Sequence, residues 1–386
     1  MSIALYNPVS GDGSATQFFS DHVLPLLDKH NKSPALFAPT EHPGHAAELV
    51  ASFLSAHPDS ERVTVIVGSG DGTVHEIVNG VASLSSGKRD IELVLVPLGT
   101  ANALYASLFP PSSSPQDPTS YRLLALHSFL ASSSPRLLAL AETSLASTTI
   151  YSAVVTSTAL HASILHDSEA LRKDMPGIER FKVAAHQNIT RWYNASVVLR
   201  PPKPDGSVQV YDPATKSLIP YGKDAKLQGP FAYFLSTVNV DRLEPLFRIT
   251  PLFSSIPPPP STPSLDIAIL RPLRDPAVSS AAQDDREIFA QKAGRVLGEA
   301  YNNGAHVNLR YAEDRQPVTD GDGEAVVEYF RCGGFEWIPD ESDDRAHLLC
   351  ADGAIFNIPP SGRTTCSAVA STRNGVRFSV YSQHLT

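Results

Sequence analysis

The chain lacks most of the features that declare a function directly. Its three cysteines, Cys332, Cys350 and Cys366, are odd in number and widely spaced, which argues against a disulfide framework or a zinc knuckle and fits a reducing compartment. No apolar run reaches membrane-spanning length, and the strand Ile3 to Tyr6 begins without the basic region and apolar core of a signal peptide. The expectation is a cytoplasmic protein with at most reversible, peripheral contact with a membrane surface. Positive charge is also short. With 31 basic against 40 acidic residues the formal net charge is −9, which disfavours a nucleic-acid partner. No GK[ST] follows a glycine loop, no GxGxxG occurs and no GxSxG elbow occurs, so P-loop enzymes, common dinucleotide binders and α/β-hydrolases have no support. Thirteen histidines invite a metal search, but His42 and His45 in HPGH have no companion at ligand spacing and read as surface or core residues.

What is present centres on VTVIVGSGDGTVHEIVNGV, Val63 to Val81. A β-branched run is broken by Gly68, Gly70 and Gly72. After Thr73 the residues Val74, Ile77, Val78 and Val81 recur at helical spacing on one face. Strand, glycine loop and helix in this order place free backbone N–H groups and the positive end of the helix dipole at the loop, an anion site. Asp71 lies inside it. A carboxylate there would repel a phosphate that was merely bound, so a base that takes a proton from the group attacking the phosphate is the better reading.

Three further strand-then-helix units flank this one, with loops NPVSG at Asn7–Gly11, a segment containing Thr40, and PLGTAN at Pro97–Asn102. Repeated βα units with apolar strands predict a parallel sheet whose ligands bind beyond the carboxyl ends of the strands. Pro- and Ser-rich stretches at Pro110–Pro118 and Ser132–Pro135 then interrupt the pattern and put a domain boundary near 135. Beyond it, RLLALAE, TTIYSAVVTST, ASVVLRP, SVQVY, FAYFLSTV, LDIAIL, HVNLRY and AVVEYF read as strands of an antiparallel sandwich or open barrel, with helices from Asp167 to about Trp192 and from about Ala281 to Tyr301. Asp352-Gly353 and Asn374-Gly375 are type I′ turn candidates.

The NPVSG loop, the SGDGTVHEIVNG block, PLGTANALYASL and the late DGE resemble the diacylglycerol-kinase-type lipid kinases. Within these, QFFSDHVLPLL, the Thr40–Ala46 segment and HDSEALRKDMPGIERF are similar to sphingosine kinases in order and spacing. The resemblance implies a parallel α/β nucleotide-binding domain over 1–135 and a mainly antiparallel β-sandwich lipid-binding domain with a C-terminal extension over 136–386. It implies ATP and Mg²⁺ as cofactors and a lipid as partner, with phosphate passing to the hydroxyl of an amphiphilic lipid such as a sphingoid long-chain base. Diacylglycerol, another lipid or isoprenoid alcohol, and a lipid-binding pseudokinase stay open as alternatives, and NAD kinase shares a related glycine loop. By the resemblance Asp71 is the general base. Asn7, Gly11, Gly13, Thr40, Ser69, Gly70, Gly72, Thr73, Glu76, Gly99 and Thr100 hold the nucleotide, with Arg172 and Arg180 on its phosphates. Asp167 reads the lipid head, and Asp322 and Glu324 hold Mg²⁺. Where the family's first loop reads GKGK, this chain has Asp12 and Ser14 at the lysine positions, and the family's acidic residue for the sphingosine amine aligns with Leu165.

Overall fold

The computed structural model describes every residue except 85–87, 112–116, 176, 178, 203–205, 224, 260 and 384–386. Part of the expected Pro- and Ser-rich break, residues 112–116, therefore lies outside the described residues. Two compact units emerge. The first comprises Met1–Leu140, Leu243–Pro245 and Val369–Thr386, and the second comprises Ala141–Arg242 and Leu246–Ala368.

The first unit is built on strands β1 (Ser2–Tyr6), β2 (Leu36–Pro39), β3 (Arg62–Ser69) and β4 (Asp90–Pro97), paired in parallel in the order β2-β1-β3-β4. β3 and β4 are buried almost end to end, as near-continuous apolar runs require when helices cover both faces. Helices His45–Ala56 and Asp71–Ala82 pack so closely that a Cβ on Gly80 would lie 2.4 Å from Ala47 Cβ. The helix after β1 runs α over Ala15–Phe18, π over Phe19–Val23 and α again over Leu24–Lys29. Its π turn sets the Phe19 ring where a Cβ on Gly68 would be, 2.1 Å away, so β3 needs glycine there.

The C-terminal segment departs from expectation. Instead of extending the second region, strand Arg377–Val380 pairs in parallel with β4, and its other edge takes Arg136–Leu137 in antiparallel. Phe378 and Val380 are fully buried, and Arg377 holds Asp90 through two bonds of 2.8 and 2.9 Å. Asn374-Gly375 is consequently no hairpin. Only Gly375 of the pair has positive φ, whereas a type I′ turn needs both, and the Asn374 side chain donates to the carbonyls of Ala82 and Leu84 at the end of the Asp71–Ala82 helix.

The second unit holds antiparallel sheets of eight and six strands. Leu265–Leu270 lies between Tyr233–Thr237 and Glu328–Cys332 in the larger, and Gly334–Pro339 between Ala195–Arg200 and Thr364–Val369 in the smaller. Their inner faces meet through Phe231 and Phe234 against Phe335 and Trp337, with ring centroids 5.0 to 5.2 Å apart. Helices Ala159–Leu171, Glu179–Asn188 and Gln283–Gly298 complete the unit. HVNLRY, read as a strand, is mostly a 3-10 turn at Ala305–Asn308 with a two-residue strand behind it. RLLALAE divides between the two units' sheets. Asp352 and Gly353 both have positive φ, and the Asp352 carboxylate accepts the N–H groups of Ala153, Val154 and Val155. All three cysteines are buried and free.

Burial holds the imidazoles of His161 and His306 to about 4, below the ordinary 6.5. A folded-state pKa below the unfolded value means that the unfolded chain takes up protons first. The stability is therefore complete above about pH 6.5 and is lost as pH falls toward about 4. The melting temperature should drop over that window. In His161→Gln/His306→Gln the slope of melting temperature against pH should flatten, whatever the variant's absolute stability.

Candidate active site

Between β2 and β3 the chain crosses to the other side of β1, and such a reversal opens a crevice at the carboxyl ends of β1 and β3. The loops after β1, β3 and β4 meet there. Asn7 donates its N–H to Gly68 O at 3.0 Å, while its side-chain oxygen accepts the Val9 N–H at 3.1 Å. Ser69 Oγ lies 3.3 Å from Ser10 Oγ and 2.7 Å from Thr73 Oγ1, linking the first loop to the glycine loop. Gly11 has φ +58°, and a Cβ there would fall 2.4 Å from Leu98 O, so this position needs glycine for both conformation and space. Gly13 also has positive φ, at +75°.

The glycine loop and the loop after β4 touch backbone to backbone. A Cβ on Gly99 would lie 2.4 Å from Gly70 Cα. Asn102, in the left-handed region at φ 51°, closes that second loop by accepting the Gly99 N–H and donating to Gly99 O. Asp71, the first residue of the Asp71–Ala82 helix, reaches across. Its Oδ2 accepts the Ala103 N–H at 2.7 Å and its Oδ1 accepts the Leu104 N–H at 3.1 Å, at the start of the Ala103–Leu108 helix. Asp71 thus closes a helix end that has no side-chain cap of its own. Each carboxylate oxygen has more than one lone pair, so these bonds orient the group while leaving acceptor capacity. The sequence placed Asp71 at the anion site but showed nothing of this clamp, although its second half, Asn102-Ala103-Leu104, belongs to the PLGTAN motif.

Around this centre, Thr40 is buried with its N–H on Tyr6 O at 2.8 Å, Gly72 and Thr100 are exposed, and Glu76 is half-buried on the Asp71–Ala82 helix. Asp12 is tied locally. Its Oδ1 accepts the Ser14 hydroxyl and N–H, and its Oδ2 faces Arg122 Nη2 at 3.3 Å. The Ser14 bonds, followed by the Arg122 contact, hold its carboxyl to about 2. Arg122 ends the Pro118–Arg122 helix and lies over the Phe18 ring, 5.5 Å from its centroid.

The remaining candidates belong to the second unit. Asp167 is engaged by Arg345 Nη1 at 2.8 Å, His166 Nδ1 at 2.7 Å and Asn188 Nδ2 at 2.8 Å. Arg172 pairs with Glu169 on an exposed helix end, and Arg180 donates to Gly177 O while lying 4.3 Å from the Phe181 ring centroid. Asp322 and Glu324 are exposed, with Glu324 paired to Arg274 and Asp322 O accepting from Arg310. Their carboxylates are hard oxygen donors of the kind Mg²⁺ takes, with water completing its shell. Among the described residues, the group of three side chains with ligand atoms within 4.8 Å of one another is His42, His45 and Glu48. Glu48, one helical turn beyond His45, is the acidic companion of the two histidines. The cluster is a poor metal site all the same, because His45 Nδ1 accepts the Glu41 N–H, which places the proton of the neutral ring on Nε2.

A glycine loop, a carboxylate and a helix N-terminus thus meet at the switch point of an open parallel sheet, where α/β sheets hold their ligands. Residues 2–129 match the diacylglycerol kinase catalytic domain. Human sphingosine kinase 1 is 41% identical over 108 residues, 28% of this chain and 27% of that protein. Sphingosine kinase 1 of Arabidopsis thaliana is 28% identical over 203 residues, 52% of this chain and 39% of that one. The chain thus spans well under half the length of these curated relatives. A crystal structure of a candidate diacylglycerol kinase from Bacillus anthracis shares the fold with a TM-score of 0.53 at 13% identity, covering 100% of this chain and 98% of the other.

Gly99→Ala forces a methyl group against Gly70 Cα and should cost about 1–3 kcal/mol of stability. Gly72→Ala, where a Cβ meets nothing within 4 Å, should leave the melting temperature nearly unchanged. Calorimetric melting of the two variants checks the contrast.

Proposed function

We propose that the chain is an ATP- and Mg²⁺-dependent lipid kinase. The observation that carries this reading is the Asp71 carboxylate, oriented by two N–H bonds at the point where three strand-end loops and a helix N-terminus converge. In the proposed reaction Asp71 takes the proton of a lipid hydroxyl. The oxygen forms a bond to the γ-phosphorus in line as the bond to ADP breaks. Backbone N–H groups of Ser69, Gly70 and Gly72 stabilise the charge on the transferred group, and Asn7, Gly11, Gly13, Thr40, Thr73, Glu76, Gly99 and Thr100 form the rest of the nucleotide site. Arg172 and Arg180 as phosphate partners, and Asp322 and Glu324 as the residues that would hold Mg²⁺, are parts of the same proposal. Bound there, the ion would offset phosphate charge. Catalysis is then mainly positioning in a preorganised field.

The sphingosine kinases among the relatives support a sphingoid long-chain base as the acceptor, taken up by a lipid-binding second unit. A second reading has its own observation. Asp167, the carboxylate nearest in sequence to the family's amine-recognising position, is already paired with Arg345, which favours an uncharged lipid alcohol such as a diacylglycerol.

Transfer of labelled phosphate from ATP to long-chain bases, diacylglycerols, ceramide and prenyl alcohols tests both readings. A labelled product is expected with wild type, and Asp71→Asn should lower the rate by about 10²-fold or more. Asparagine turns an N–H donor toward Ala103 or Leu104, so the variant should also lose about 1–2 kcal/mol of stability and must be assayed below its own melting temperature. Full transfer by folded Asp71→Asn would overturn the mechanism, and no product with any acceptor would overturn the activity.

A further inference from the structure

The strand-end loops of the first unit, residues 7–14, 40–44, 69–70 and 98–102, contain no lysine or arginine. They do contain Asp12 and Glu41, and Asp71 follows directly on Gly70. A pocket for a triphosphate built from these loops would rely on backbone dipoles and would carry carboxylates of the ligand's own sign. Four other basic side chains of this unit are committed elsewhere. Lys32 donates to Phe129 O, Arg89 to the carbonyls of Leu54, His57 and Pro58, Arg62 pairs with Glu92, and Arg377 with Asp90. Arg122 is bonded to the first of these loops, at Asp12.

That contact has the character of a tether. At 3.3 Å it is longer than a tight charge-assisted bond, and its two side chains are 30% and 57% exposed. Asp12 Oδ1 is occupied by Ser14, which fixes the carboxylate and leaves Oδ2 toward the guanidinium. The Phe18 ring supports the other side of the contact by cation–π attraction. Guanidinium has five N–H donors, so one bond to Asp12 leaves the fork able to take phosphate oxygens.

We propose that Arg122 is a phosphate-binding cation that the first unit itself adds to this nucleotide site, in addition to Arg172 and Arg180, and that Asp12 is its positioning residue, holding the guanidinium at the first glycine loop. The proposal rests on the kinase reading and goes beyond it, because it replaces a loop-borne charge by one delivered from the Pro118–Arg122 helix. Asp12 then works for phosphate binding, whereas a bare carboxylate beside the loop would work against it.

Equilibrium binding of Mg·ATP, ADP and adenosine to the full chain separates these possibilities. Arg122→Met, which keeps an apolar stem over Phe18, should weaken Mg·ATP by about tenfold or more while adenosine binds as to wild type. Arg122→Lys should recover part of the loss. Asp12→Ala should weaken Mg·ATP by a smaller factor, and adding it to Arg122→Met should cost nothing further, since Asp12 acts through Arg122. Three results would overturn the proposal: Arg122→Met binding Mg·ATP as tightly as wild type, Arg122→Met losing adenosine equally, or Asp12→Ala alone tightening Mg·ATP. If wild type binds adenosine nucleotides but no acceptor is phosphorylated, the kinase reading fails while the Arg122 assignment is still decided by the binding series. If wild type binds none of them, both fail.

Discussion

Everything at the candidate site depends on two backbones being allowed to touch. Gly70 and Gly99 approach until no Cβ fits between them, and only then can Asp71 span from the start of one helix to the start of the next. One carboxylate therefore joins two βα units, orients itself, and sets the positive ends of both helices toward the same small volume. Preorganisation here is a by-product of packing, since the groups that would meet a developing charge are main-chain amides that cannot rotate away.

The consequence is a site whose electrostatics come mostly from peptide dipoles. Such fields are short-ranged and directional, fading within a helix turn. They can orient a phosphate chain already in place but attract one weakly from a distance. A net charge of −9 makes that limitation sharper, which is why a guanidinium tethered to the first loop, as proposed for Arg122, would carry weight.

The parts legible in the sequence were those encoded within one βα unit: apolar runs, glycines at turns, and helical spacing after the loop. Three loops meeting at one switch point followed from their equivalent positions in successive units. The illegible parts join distant segments. Asp12 finds Arg122 across 110 positions and Asp167 finds Arg345 across 178, and no local pattern marks either pair. Asp12 therefore read as a misplaced charge and Asp167 as an open carboxylate. HVNLRY failed for a different reason. Its β-branched and aromatic content is that of a strand, but Gly304 at φ +77° and the buried His306, bonded to Ile249 O, hold a 3-10 turn.

The strand Arg377–Val380 has a meaning beyond its place in the sheet. It shields β4 on the side away from β3, and its preceding Asn374 closes the far end of the helix that begins at Asp71. Along the chain, then, the second unit is an insertion within the first. A ribosome must deliver more than two hundred further residues, roughly, after β4 before that edge can be covered, so the first unit matures last although it is made first. Damage to the final strand would strike the sheet that carries Asp71, and the sandwich between them in sequence would keep its own pairings.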